Sequence, residues 1–497
     1  MYGPTANAGR RPSPSRRAEA PKPRVRPGVH TAVPRPLARA LLALLAAALL
    51  VPAAARASST QVMTFEAPRE LLSDSTRDAT LDEIKRLGVD RVRALVYWRE
   101  FSARPRSRSA PRFDTANPNA YPAGTWDRLD RLVAAAQARA ITLQFTLTGP
   151  VPKWATKRKR DYVSQPSARW FGRWARAVAL RYGGAVNLWS VWNEPNHPDF
   201  LRPQYRDGKP YSPRMYRKLY VAAERALHGV PGGAGDKVLF GETAPIGNVH
   251  VVSPLGFLRG AMCLSRSYKK ARGCRKLRID GYAHHAYTRR NGPSFVSPDT
   301  DEVSIGSLRR LIGAVDRAAR AGAIDRNRGI YLTEFGIQSK PDPIAGVSFS
   351  KQAEYLAISE RIAYASPRVK AFSQYLMRDD KPRRGVPRVE RYSGFETGLR
   401  TSSGRKKPAY NGFMLPLAVK RYGTRDVLWG RVRPARGAAT VTVERTTGKR
   451  WRPLTSLTTS VRGVYGLSAQ HRKRQRYRVK WTRPDGSTLT GPPIHPY

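Results

Sequence analysis

From residue 58 onward, apolar positions come in two alternating textures. Short runs rich in β-branched and aromatic residues occupy 62–65, 89–97, 141–147, 186–192, 238–240, 279–282, 329–333 and 369–376. Between most of them lie Ala-, Leu- and Arg-rich segments of helical pattern, clearest at 80–87, 126–138, 168–182, 213–227, 308–321 and 351–366. Strands that alternate with helices pair in parallel, because each helix is the crossover that returns the chain to the same edge. Eight such units over 58–422 predict an α/β fold, a (β/α)8 TIM barrel. A doubly wound open sheet is the alternative, and the lack of a GxGxxG turn after the first strand counts against it.

The pattern changes at both ends. The last barrel helix is expected over 409–419. Beyond it, brief strands at 427–429, 439–443, 464–467, 476–481 and 488–489, with turns such as Pro484-Asp485-Gly486, predict a small all-β, sandwich-like module over 423–497. Ahead of the barrel, 1–36 is rich in Pro, Arg and Ala without periodicity. The run ALLALLAAALLV at 40–51 suits a signal-peptide core and is short for a membrane span. Ala55-Arg56-Ala57 supplies a small-x-small cleavage pattern after Ala57. Residues 1–57 therefore predict a basic leader with a signal peptide, or else one N-terminal anchor helix. Arg16-Arg17 is a poor twin-arginine match. Either way the remainder is exported.

Composition narrows the class. The chain has 497 residues, 40% of them hydrophobic, enough to build a sizeable core. Gly 40 and Pro 40 exclude a collagen-like chain, and no uncharged apolar stretch is long enough for a multi-span membrane protein. Lys+Arg 90 against Asp+Glu 36 gives a net charge of +54. The excess is dispersed along the length, which predicts a generally cationic surface drawn to anionic polymers rather than a nucleic-acid binder. Two cysteines exclude a Cys-built metal array. In an oxidising compartment Cys263 and Cys274 are expected to pair around the basic loop LSRSYKKARG, in a structural role; two unrelated buried thiols are the other reading. The basic segment Arg472-Lys473-Arg474-Gln475-Arg476 reads as a solvated hairpin on a stabilising module in preference to a contact with an anionic wall polymer.

Active sites of such barrels sit at the C-terminal strand ends. The fourth run ends Trp189-Ser190-Val191-Trp192-Asn193-Glu194-Pro195-Asn196, and the seventh ends Gly329-Ile330-Tyr331-Leu332-Thr333-Glu334-Phe335-Gly336. A carboxylate at the end of a buried run is paired or functional. Either Glu alone reads equally well as a structural ion pair with one of the many arginines. Together, on strands four and seven, they would face one another across the barrel mouth. That is the pairing glycoside hydrolysis needs: one carboxyl protonates the leaving oxygen and the other attacks the anomeric carbon.

The WNEPN and LTEFG segments together resemble the clan A glycoside hydrolases, especially cellulase-like family 5 and xylosidase-like family 39, over about 58–422. The resemblance implies Glu194 as acid/base, Glu334 as nucleophile, and retention of configuration. It implies that Asn193 bonds the sugar 2-hydroxyl and that Arg93 keeps Glu334 ionised; an exterior surface Arg is the alternative. Asp280-Gly281-Tyr282-Ala283-His284-His285-Ala286-Tyr287 resembles the clan's His-x-Tyr, which implies Tyr287 against the nucleophile and His285 against the acid/base or the sugar. His284 and His285 have no third ligand at metal spacing, so neither metal nor cofactor is expected.

Trp98, Trp154, Trp192 and Tyr375 end or follow strands, and each is equally a sugar platform or a core residue. Glu242, ending strand five, is a third mouth carboxylate, expected to contact substrate or support those that do. Many clan members carry a Trp on strand eight where this chain has Phe372-Ser373-Gln374-Tyr375, with Gln374 or Tyr375 in its place, which leaves the preferred sugar open. The sequence thus predicts a secreted retaining β-glycosidase of a β-linked oligo- or polysaccharide, held near the cell surface by an anionic polymer. It predicts no nucleic-acid partner, and no integral membrane domain beyond the N-terminal anchor alternative. The competing class is a non-catalytic carbohydrate-binding or scaffold protein on the same barrel.

Overall fold

A computed structural model describes residue 58 and residues 60–387, 389–434 and 437–497. The leader, signal or anchor expected within 1–57 lies outside the described residues. Eight parallel strands close into a barrel: β1 Val62–Glu66, β2 Arg91–Tyr97, β3 Thr142–Thr148, β4 Val186–Val191, β5 Lys237–Thr243, β6 Gly281–His285, β7 Gly329–Glu334 and β8 Val369–Tyr375. Each pairs with its successor, and β8 closes on β1 with Val62 opposite Ala371. The (β/α)8 expectation holds and the open sheet does not.

The two-residue period of the strands sorts side chains onto two surfaces. Met63, Phe65, Val92, Val96, Phe145, Trp189, Phe240 and Leu332 join the large core shared with the helices. Leu188, Leu239, Ala283, Tyr331 and Ala371 form a separate small cluster. Arg93, Gln144, Thr146, Ser190 and Glu242 are fully buried and polar, and they bond to one another. Burying such groups is tolerable only because each finds a partner there.

Helices Arg77–Arg86, Asp127–Gln137, Ala168–Tyr182, Ser212–His228, Leu308–Arg320 and Phe349–Tyr364 match the predicted segments to within a few residues. Pro254–Ala261, after β5, is a helix that the sequence pattern did not single out. It is only two turns long and carries Gly256 and Gly260.

The predicted helix over 409–419 needs correction. The helix is Pro408–Met414, and Leu417–Tyr422 is a strand that pairs antiparallel with Arg425–Arg431. Pro416 has no N–H to continue a helix. Strand pairing thus joins 417–422 to the C-terminal sheets, ahead of the expected 422/423 boundary. One sheet runs in the order Leu417–Tyr422, Arg425–Arg431, Val464–Gln470. The other runs Arg452–Thr458, Thr440–Thr446, Arg476–Thr482, Thr488–Thr490. Arg452–Thr458 was not anticipated, because its positions are half-buried or exposed and no apolar alternation marks them.

These sheets dock on the face of the barrel where strands begin. Arg433 donates to both oxygens of Glu360, at 2.5 and 2.8 Å, and Arg462 to the Gln61 carbonyl at 3.1 Å. Gly88, just ahead of β2, lies against Pro434. The opposite face, where the strands end, is not covered by these two sheets. Cys263 and Cys274 form a disulfide.

Candidate active site

The backbone is strained around the C-terminal ends of β4 and β5. Trp192, Glu194 and Glu242 adopt left-handed backbone angles, with φ of 70°, 40° and 49°. Such conformations cost non-glycine residues about 1–3 kcal/mol each and persist where surrounding contacts fix them. The Glu194 N–H donates to the Glu242 carbonyl at 2.9 Å. Asn196 ties the two turns together: its amide donates to the Ala244 and Val252 carbonyls and its oxygen accepts the Ala244 N–H. At Gly241, φ is 118° and a Cβ would stand 2.4 Å from the Ala283 carbonyl oxygen. Only glycine fits there, and the irregular pairing of β5 with β6 at this point accompanies the inward Glu242.

Arg93, from β2, is the hub. Its Nη2 donates to Glu242 Oε2 at 2.6 Å and Asn193 Oδ1 at 2.7 Å; its Nη1 donates to Glu66 and, at 3.2 Å, to Glu334 Oε2. Tyr287 donates its hydroxyl to Glu334 Oε1 at 2.8 Å. His285 Nδ1 lies 2.9 Å from Glu194 Oε1 and 3.7 Å from Glu334 Oε2. Those two carboxylate oxygens are therefore no farther apart than the sum of 2.9 and 3.7 Å. Solvent reaches the side chains of Glu194 (18%) and Glu334 (9%), whereas Glu66, Arg93, Glu242 and His285 are sealed beneath them.

Charge is distributed by these contacts. Burial works against the Arg93 guanidinium, but the acidic side chains of Glu242, Glu66 and Glu334 around it hold it charged, well above its ordinary range. Burial, with Glu334 nearby, pushes the Glu66 carboxyl up to about 8 against the opposing pull of Arg93. Burial would raise Glu194 too, yet the hydrogen bond and charge of His285 bring it below the usual carboxylate range. His285 is disfavoured as a cation by burial but raised by the charge of Glu334 and its bond to Glu194. The opposite directions of the two shifts reflect the hydrogen bond that couples this pair. Burial and the Glu334 charge raise Tyr287, which stays a neutral donor.

Most of the residues singled out from the sequence converge here: Arg93, Asn193, Glu194, Glu242, His285, Tyr287 and Glu334. Tyr375 is half-buried beside them, its ring 6.5 Å from Tyr287. The tryptophans stand elsewhere. Trp98 (0% exposed) stacks on Trp174 and meets Trp154 edge-on, and Trp154 (4%) gives its indole N–H to the Ala103 carbonyl. Trp192 (0%) packs on Phe171 and bonds the Phe200 carbonyl. All three are core residues and none is a platform, because the chain turns sharply past each strand end and the two-residue period no longer sets their direction. Gln374 spends its amide on backbone carbonyls, including Thr397 at 2.9 Å.

His284 is buried on the other side of β6. Its Nε2–H donates to the Val303 carbonyl, its Nδ1 accepts from the Thr243 hydroxyl, and burial lowers it to about 4, so it is neutral. Among the described residues no three His, Cys, Asp or Glu side chains converge at metal-ligand spacing.

Three neighbours were missed. Glu66 ends β1 as Glu194 and Glu334 follow or end their strands, so the same signal was available for it. Tyr97, half-buried at the end of β2, is raised by burial and by Glu66. Phe395, 40% exposed, meets Tyr375 edge-on at 5.0 Å. It comes from the long segment after β8, whose sequence gives no periodic signal.

No protein-family profile and no curated protein matches the chain. Solved structures similar to it include a family 39 glycoside hydrolase from Bacteroides cellulosilyticus WH2, at 15% identity over 82% of this chain and 81% of that one, with a TM-score of 0.47. They also include GH5_18 from Streptomyces cattleya in complex with GlcNAc (17% identity, 71% and 79% covered, TM-score 0.47). A third is a beta-glucosidase from Thermotoga maritima in complex with noeuromycin (14% identity, 69% and 85% covered, TM-score 0.45). At these identities and TM-scores the likenesses bear neither on the fold, which strand pairing establishes, nor on the activity.

Proposed function

We propose that the chain is a secreted, retaining β-glycosidase that cleaves a β-linked oligo- or polysaccharide. The observation that carries this reading is the approach of Glu194 and Glu334 to one His285 nitrogen, at 2.9 and 3.7 Å, as the two solvent-reached acids over a sealed polar floor. The resulting ceiling on the distance between Glu194 Oε1 and Glu334 Oε2 sits at the foot of the inverting range, roughly 6.5–9.5 Å, and admits the retaining range, roughly 5–5.5 Å.

Each residue then has a task. Arg93 and Tyr287 each donate to one oxygen of Glu334 and hold its carboxylate toward the anomeric carbon. Glu334 forms the bond to that carbon as the glycosidic C–O bond breaks. The proton held between His285 and Glu194 passes to the leaving oxygen through the Glu194 carboxyl. In the second half a water attacks the glycosyl-enzyme, gives its proton to Glu194, and frees Glu334. Arg93 occupies the Asn193 amide oxygen, which leaves Asn193 Nδ2 to donate to a sugar hydroxyl. Tyr375 and Phe395 offer ring faces to the apolar side of a sugar, the part the tryptophans do not play. Export is supported by the disulfide, which persists in oxidising compartments.

A panel of aryl β-glycosides and β-glucans, followed by NMR for the anomer first released, tests the proposal. Turnover with retention is expected, and Glu334→Gln is expected to remove it. Glu194→Gln is expected to lose about 10²–10⁴-fold on substrates with poor leaving groups and far less on activated aryl glycosides. Glycan binding without turnover of any substrate would instead favour the non-catalytic scaffold.

A further inference from the structure

We propose that a groove on the outside of the barrel, between helix Ser212–His228, helix Pro254–Ala261 and the disulfide-closed loop 263–274, binds a strand of anionic polysaccharide. The groove encloses about 1420 Å³. One wall is a stripe on a single helix face: Arg214, Lys218 and Arg225 recur at helical spacing and are exposed. The facing wall is the loop, which presents Arg266, Lys269 and Lys270, also exposed. Among the described residues none of these six forms an ion pair. The single carboxylate in the lining, Asp301, is taken by Arg259 at 2.9 and 2.5 Å.

What sets the groove apart from the rest of the basic surface is that two sets of cations face one another across one cleft. Several arginines elsewhere on the outside of the barrel have acidic partners, as in Arg131 with Asp74, Arg139 with Asp82, Arg181 with Asp130 and Arg368 with Asp316. Here the partners are lacking and the cations face one another across a cleft, an arrangement that repels itself until an anion enters. The Cys263–Cys274 bond holds the loop in place, so less ordering is needed when a ligand binds.

The chemistry favours a charged glycan. Ala168, Pro213, Val221 and Ala222 give the groove an apolar floor of low relief, suited to the C–H faces of sugar rings. Among the described residues no aromatic side chain lines it, whereas grooves that hold unpaired bases use aromatic stacking. It is concave, unlike a surface that lies flat on lipid. The preference for a polysaccharide also rests on the glycosidase reading; the groove's attraction for a polyanion does not.

Calorimetric titration of the full chain with polygalacturonate, neutral dextran, single-stranded DNA, and vesicles of phosphatidylglycerol and phosphatidylcholine provides the test. Two groove variants are compared: Arg214→Ser with Lys218→Ser and Arg225→Ser, and Arg266→Ser with Lys269→Ser and Lys270→Ser. A third triple, Arg472→Ser with Lys473→Ser and Arg474→Ser on the C-terminal module, removes the same charge elsewhere. Each groove triple is expected to weaken polygalacturonate binding by about tenfold or more, with the module triple close to wild type. Turnover of a small aryl glycoside by the groove triples is expected to stay at the wild-type rate.

Equal losses in all three triples, or DNA, vesicles or dextran bound as tightly as polygalacturonate, would overturn the proposal. The hydrolase reading fails separately: a wild type that turns over nothing, while only the groove triples lose the acidic polymer, removes that reading and keeps the groove.

Discussion

Glu66 is the least ordinary residue of the site. It shares Arg93 Nη1 with Glu334 and lies fully buried, and burial lifts its carboxyl to about 8. A neutral Glu66 leaves the guanidinium charge to Glu334 and Glu242. The sign for stability follows. The folded protein holds this proton at pH values where the unfolded chain, near the ordinary carboxylate value of 4.5, has released it. The stability from this group is complete below that value and is lost as pH rises through about 8. Glu66→Gln keeps the shape and removes the titration. Thermal melting between about pH 6 and about pH 9 is therefore expected to fall less steeply in this variant than in wild type, and parallel slopes would contradict the assignment.

At the scale of elements, the mouth depends on two long connections, 336–348 after β7 and 376–407 after β8. A buried lysine fastens them. Lys407 donates to Asp379 Oδ1 at 2.7 Å, Ser339 Oγ at 2.9 Å and the Glu396 carbonyl at 3.2 Å. Burial raises Asp379 to about 6 even with this partner. Lys407→Met strands that carboxylate, and urea unfolding is expected to register a loss of about 3–5 kcal/mol. A change within experimental error would mean that the connections are held by other contacts.

These elements also mark where the sequence stopped being informative. The strands and both mouth acids were legible because an apolar run that ends in a carboxylate is costly unless the charge has work or a partner. The long connections were not: Phe395 reaches the mouth through a segment with no repeat, and Trp98 and Trp192 turn into the core just where the strand period ends. The bulge at Gly241 that accompanies the inward Glu242 left no pattern at all.

For the molecule as a whole, the C-terminal sheets cover the face opposite the mouth. Arg433 and Glu360 join them to the barrel as a buried, bidentate pair. Arg433→Met removes the bidentate partner of Glu360 and leaves it only Arg431 at 3.8 Å, and a stability loss of about 3 kcal/mol is expected. Because the module stands away from the strand ends, kcat and KM measured well below the melting temperature are expected to stay at wild-type values. A changed KM would show that the module takes part in substrate binding.

In the proposed mechanism Glu334 becomes covalently joined to a sugar. Incubating the protein with 2-deoxy-2-fluoro glycosides of every sugar it turns over, followed by peptide mass mapping, addresses this directly. The expected result is a single glycosyl adduct on the peptide that spans β7, located on Glu334. An adduct on Glu66, Glu242 or any other side chain, or turnover with inverted configuration and no adduct, would contradict the account.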